Sequence, residues 1–250
     1  MSSPFATFLR RGLLAGLLAG LTAALVSLLL VETPLRAALD VEEARPQAAG
    51  EHAHEELFSR STQVVGGMVA ALVVGLAIGA IFAVVFAHNR HRLPARTDFG
   101  RSLQLAAAGF LAVSLLPALK YPANPPGVGA PESVTFRTVA YFSLIVVGIA
   151  ILHAVGYLHR YLAVHGWSQA RRSTAAAVGG IVLTGLVLWS CPSNPDPVPP
   201  DVPAALLWRF RLASLAELAG MWAVLGFAFG LLNEPRKQRV TTTASPATTP

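Results

Sequence analysis

The stretch VVGGMVAALVVGLAIGAIFAVVFA, Val64 to Ala87, runs for 24 residues without a single charged side chain. At about 1.5 Å of rise per helical residue it reaches about 36 Å, more than the roughly 30 Å of a bilayer's hydrocarbon core. A helix packed on the outside of a soluble domain keeps a polar face, and this one has none, so the segment reads as a membrane span. Working outward, five more runs share its character: Gly12 to Val31, Ser102 to Leu119, Thr138 to Leu158, Thr174 to Cys191 and Ala205 to Leu232. The expected fold is all-α, a polytopic integral membrane protein with six transmembrane helices. Residues 1–235 form one transmembrane domain, and 236–250 form a polar, low-complexity tail expected to be disordered. Composition agrees, because 54% of the residues are hydrophobic and 13% charged, leaving more apolar surface than a soluble chain of this size can bury.

The formal charge of +6 raises the question of nucleic acid, but its placement answers it. Twelve of the nineteen basic residues fall in alternate connections: Arg10 and Arg11; Arg90, Arg92, Arg96 and Arg101; Arg160, Arg171 and Arg172; Arg236, Lys237 and Arg239. Those connections hold only Asp98 and Glu234 as acids, whereas the opposite ones hold ten, from Glu32 and Asp40 through Glu132 to Asp196 and Asp201. The positive-inside rule then places both termini in the cytoplasm, and the bilayer, not nucleic acid, is the macroscopic partner.

A basic start followed by an apolar run also opens a secretory signal, but the first run exceeds a usual signal core. Glu32, Pro34 and Arg36 interrupt the flank where a cleavage site would lie, so an uncleaved first helix is expected. Cys191 is the sole cysteine, which excludes an internal disulfide, and at the end of span five it reads as a small buried residue. No phosphate-binding Gly-x-x-x-x-Gly-Lys-Ser/Thr loop is present, so ATP is not hydrolysed by that route. His153 is the one clearly intramembrane histidine, which argues against transmembrane haem ligation and reads as a packing residue. No nucleophile and base pair stands out, and the chain reads as a non-enzyme without a resident cofactor.

Glycines recur at four-residue spacing: Gly12, Gly16 and Gly20; Gly75 and Gly79; Gly226 and Gly230. Small residues one turn apart let helix backbones approach closely, within the chain or, alternatively, as a seam that recruits a partner. A fainter internal repetition pairs Val65-Gly66-Gly67 with Val178-Gly179-Gly180, and Ala108-Gly109 with Ala219-Gly220. Three helices per half would make the halves inverted relative to one another.

Ionisable groups within hydrocarbon are costly, which singles out Glu217, roughly 15 to 18 Å along its helix from the acidic side. Thr22, Ser114 and Thr184 fall at comparable depth on other helices, and together these oxygens outline a possible cation path. Arg209 and Arg211 stand closer to the interface and read as snorkelling anchors. Outside the bilayer, the connection between spans one and two carries Glu51-His52-Ala53-His54-Glu55-Glu56. Two imidazoles two residues apart among carboxylates, His52 and His54 with Glu51, Glu55 and Glu56, suit a divalent transition metal. Asp40, Glu42 and Glu43 upstream would raise the local cation concentration; a solvated acidic linker is the alternative.

The glycine-rich first helix followed by Glu32-Thr33-Pro34-Leu35 and the His52-Ala53-His54 loop resembles the CbtA family of probable cobalt transporter subunits. So do Gly109-Phe110-Leu111-Ala112, then Leu116-Pro117-Ala118-Leu119-Lys120-Tyr121-Pro122-Ala123-Asn124-Pro125-Pro126-Gly127. Arg137, Cys191-Pro192-Ser193-Asn194-Pro195 and the run from Phe210 through Trp222 to Gly226 extend the likeness over residues 8 to 232. The chain departs from the pattern after Arg137, where Thr138, Val139 and Ala140 replace aromatic residues, and in having six spans where five are usually described. The resemblance implies a multi-pass protein of the bacterial inner membrane that takes up a divalent metal, cobalt first, as substrate for cobalamin synthesis. It also implies a small membrane partner, CbtB, with a His-rich end. A non-transporting scaffold or assembly subunit is the rival reading.

Overall fold

The computed structural model describes residues 4–48 and 58–234, and among these every regular element is helical. Helix α1 (Pro4–Val26) passes through a π-helical turn, Ser27–Val31, into α2 (Glu32–Ala48); α3 spans Arg60–Asn89. Helix α4 (Asp98–Gly109) likewise continues through a π segment, Phe110–Leu115, into the short α5 (Leu116–Lys120). Then come a 3-10 turn (Pro131–Ser133), α6 (Val134–Val164), α7 (Gln169–Ser190) and α8 (Ala204–Asn233). Six helical stretches are long and apolar enough to cross a membrane.

The first of these, Phe5–Arg45, differs from the expected span followed by an acidic loop. Its 41 residues reach about 60 Å, twice the hydrocarbon thickness, so the polar α2 projects beyond the bilayer. Asp40, Glu42 and Glu43 therefore lie on a helix. Both π segments precede a proline. Pro34 and Pro117 lack an amide hydrogen, and their rings press on the carbonyls of Leu30 and Val113, four residues back. Each of those carbonyls lies in a π segment, where the widened turn relieves the conflict without ending the helix.

The helices are capped by their own sequence: Ser59, Thr97 and Ser168 precede α3, α4 and α7, and each accepts a backbone N–H from the first turn. Packing is tightest where glycines meet. A Cβ added to Gly16 would lie 2.9 Å from the Gly79 Cα, and one added to Gly75 would lie 2.6 Å from the Gly20 Cα. Helices α1 and α3 thus touch backbone to backbone, as the glycine spacing predicts. Gly226 fits against Ala106 of α4 and Gly230 against Phe99, so the third glycine pair also serves packing within the chain. Phe82, Phe86 and Phe229 close one end of this core, with Phe86 and Phe229 rings 5.0 Å apart. The outward surface is apolar, with Leu29, Ile81, Val139 and Ile181 each more than 60% exposed, the face lipid covers.

Helix α8 is the hub, packed on α1 and on α4, while α6 lies against the Phe110–Leu115 segment and carries α7 beside it. Two polar ends result. At the end where α1 begins and α8 finishes, Arg11 donates to the Asn233 side chain (2.9 Å) and Asp98 pairs with Arg101 (2.8 Å). At the other, Arg45 of α2 reaches both proline-rich loops.

Candidate functional site

Glu217 sits at the middle of α8, about 20 Å from Ala204 at the helical rise. Its side chain is half-buried and faces Ser27, the first residue of the π turn in the opposing helix. Thr22 lies on the same α1–α8 interface, its methyl 3.6 Å from the position of a Cβ on Gly220, and its hydroxyl donates to the Leu18 carbonyl. The π turn shifts the backbone pairing there, with the Glu32 amide bonding the Ser27 carbonyl. A carboxyl, two hydroxyls and an offset backbone therefore share one intramembrane interface.

The other two expected oxygens lie elsewhere. Ser114, in the second π segment, is buried and accepts the indole N–H of Trp222 at 2.9 Å. Thr184 lines a separate hollow of about 360 Å³ between α5, α6 and α7, surrounded by Leu111, Leu152 and Ile181. His153 bonds its own helix at the Ile149 carbonyl (2.8 Å) and points outward, so it does not pack in the core. Glu51, His52, His54, Glu55 and Glu56 lie outside the described residues, as does the 236–250 tail. Among the described residues, no group of three metal-ligating side chains converges.

A second site, which the sequence did not mark as such, closes the proline-loop end. Asp196, in the loop after α7, has its side chain shielded to 1% exposure and pairs with Arg137 at the start of α6 (2.9 Å). It also accepts from the Ser133 hydroxyl, the Ala130 amide (3.3 Å) and the Asn124 side-chain amide (3.3 Å). Burial would raise its pKa, but the Ser133 and Ala130 bonds and the Arg137 charge together hold it below the ordinary carboxylate range. Gly129 is needed beside it: its φ of +115° disfavours side chains, and a Cβ would lie 2.9 Å from the Arg137 guanidinium. Asn124 completes the bridge by accepting from Arg211 of α8 (2.8 Å). One network, Arg137–Asp196–Asn124–Arg211, therefore ties both proline-rich loops to α6 and α8.

The stiff loops are fastened further. Tyr121 donates to the Pro192 carbonyl (2.9 Å), and Arg45 bonds both Asp201 (2.7 Å) and the Gly127 carbonyl (2.8 Å). The Arg45 guanidinium lowers the Asp201 pKa in turn. Beneath this cap lies an open cavity of about 650 Å³ between α5, α6 and α8, lined by Leu119, Phe142, Leu212 and Leu215 and bordered by Arg137 and Arg211. Arg211 turns into this cavity, whereas the snorkelling expectation sent it outward; Arg209 is exposed, as an anchor is. The hint in the sequence was the pairing of Asn124 and Asp196 in two proline-rich loops on one side, which names the loops but not their contact.

Neither a curated protein sequence nor a solved structure matches this chain. A family profile does: that of the probable cobalt transporter subunit, CbtA, matches residues 5–234, from the start of α1 to the end of α8. The match takes in all six spans, the Ser27–Glu217 interface and the whole proline-loop cap, and this multi-pass membrane protein belongs to the CbtA family of probable cobalt transporter subunits.

Proposed function

We propose that this chain is the permease subunit of an importer for a divalent transition metal, cobalt first, in the bacterial inner membrane. The observation that carries the reading is the family match across all six helices, which extends the description of a probable cobalt transporter subunit over the entire bundle. Basic residues concentrated in the connections at the end where α1 begins and α8 finishes support a cytoplasmic placement of that end. The His52-Ala53-His54 segment and its carboxylates would gather metal on the opposite side, and Glu217 and Thr22 would serve the path across. A small membrane partner with a His-rich end would complete the transporter, which would supply cobalt for cobalamin synthesis.

The scaffold reading relied on glycine faces free to recruit a partner. Gly12, Gly16, Gly20, Gly75, Gly79, Gly226 and Gly230 are already packed against neighbouring helices of this chain. Cobalt accumulation in cells with and without the protein tests the proposal: import predicts uptake that depends on it at limiting cobalt, and unchanged uptake would favour a scaffold. The double substitution His52→Ala and His54→Ala should raise the cobalt concentration for half-maximal uptake more than it lowers the maximal rate. The wild-type advantage should fade as pH falls through about 6.5, where imidazole protonates and stops donating to metal.

A further inference from the structure

Arg211 is a cation inside a membrane-spanning helix with no carboxylate in salt-bridge range among the described residues. Its bond to Asn124 satisfies one donor with a neutral amide, and its Nε is buried without a partner, as is the Nε of neighbouring Arg137. Arg137 is balanced by Asp196, so the cavity border keeps one uncompensated positive charge. An unpaired charge at this depth is expensive, so a counter-charge from outside the chain would be strongly favoured.

The cavity's shape indicates the source. Its walls include Leu119, Phe142, Trp208 and Leu212, which are all more than 50% exposed on the lipid-facing surface, so it opens sideways between α6 and α8 into the membrane. An occupant must combine an apolar body with an anionic head near the proline-loop interface. We propose that this cleft binds a phospholipid of that leaflet, its phosphate on Arg211 and beside Asn124, and an acyl chain along Leu119, Phe142, Leu212 and Leu215. A bare divalent cation is repelled by this charge, so the site is separate from the cargo path. The inference goes beyond the import reading and does not depend on which ion is carried.

The purified full-length chain, stripped of lipid in detergent, is titrated with dioleoyl-phosphatidylglycerol and followed by native mass spectrometry. Dioleoylglycerol, which has the same chains without phosphate, and inorganic phosphate serve as the two control ligands. The expected result is retention of the phospholipid, with much weaker binding of either control. Arg211→Gln should weaken it by about tenfold or more, since a charge-assisted hydrogen bond is lost, while Arg209→Gln on the exposed side leaves it unchanged. Equal binding by Arg211→Gln, an equal loss in Arg209→Gln, or binding of inorganic phosphate as tight as the lipid would each overturn the proposal. A photoactivatable residue in place of Leu212, used in native membranes, gives a second measurement. Capture of phospholipid supports the site, and capture of a polypeptide in its place refutes it.

Discussion

Glu217 shows how a single residue can be legible in cost and illegible in partner. Its apolar surroundings marked it, because a carboxyl near mid-membrane must be offset by some interaction. That the interaction is with Ser27 followed only from the packing of α1 on α8. Glu217→Gln keeps the size and a polar group facing Ser27 but removes the ionisable carboxyl. If Glu217 serves the ion path, the variant should import cobalt at least about tenfold more slowly at normal protein level, a barrier change of about 1.4 kcal/mol or more. Full uptake would leave Glu217 a packing residue. Asp196 offers a prediction on stability. Its pKa in the folded chain lies below the ordinary value of about 3.9, so its contribution is complete above that value and is lost as pH falls through the lowered one. The proline-loop cap should therefore hold at neutral pH and loosen below about pH 4, read as faster amide exchange at Ala130. Asp196→Asn leaves Arg137 unpaired; because the Arg137 side chain is still 31% exposed, the cost should be about 1–3 kcal/mol, short of the 3–5 of a fully buried pair. A thermal unfolding midpoint equal to wild type would show that the pair adds nothing.

Among the elements, the α1–α3 pair depends most on the absence of side chains. Alanine ordinarily favours a helix over glycine by about 1 kcal/mol. At Gly16 the added methyl would sit 2.9 Å from the Gly79 Cα, and no rotamer relieves a clash with backbone. Overpacking of this kind costs about 1–3 kcal/mol, so Gly16→Ala should lower the thermal unfolding midpoint. Gly66→Ala, on the same α3 but with nothing within 4 Å of its Cβ position, should match or exceed wild type. If both substitutions behave alike, the seam is not what holds these helices together. The π segments carry a related lesson. A proline inside an apolar run usually signals a kink or an end, and at Pro34 and Pro117 the helix instead widens for one turn and continues. The sequence expectation of a loop after Val31 failed for this reason: α2 is polar because it has left the bilayer, not because it has stopped being helical.

For the whole molecule, the arrangement of helices bears on the faint repeat. Exchanging the first three spans for the last three maps α1 beside α3 onto α6 beside α7, and α1 beside α8 onto α6 beside the Phe110–Leu115 segment. The α4–α8 contact maps onto itself. These three contacts are unchanged by the exchange, as two inverted halves would require, while the slight α5–α7 contact has no counterpart of equal size between α3 and α8. Orientation is testable directly. In a background lacking Cys191, Glu132→Cys should react with a membrane-impermeant thiol reagent applied to intact cells, and Ala95→Cys should react only after the membrane is opened. Labelling of Ala95→Cys from outside would reverse the assignment. The sequence by itself determined the class, the six spans and the expensive carboxyl at Glu217. Partition of a helix into lipid depends on its own composition and length, and both are written locally. Tertiary structure alone decided which helices touch, that Arg211 turns inward, and that Asn124, Arg137 and Asp196 meet. In hydrocarbon every apolar face is equally content with lipid, so pairing is chosen by close fit and polar contacts between segments far apart in the chain, and no local pattern encodes it.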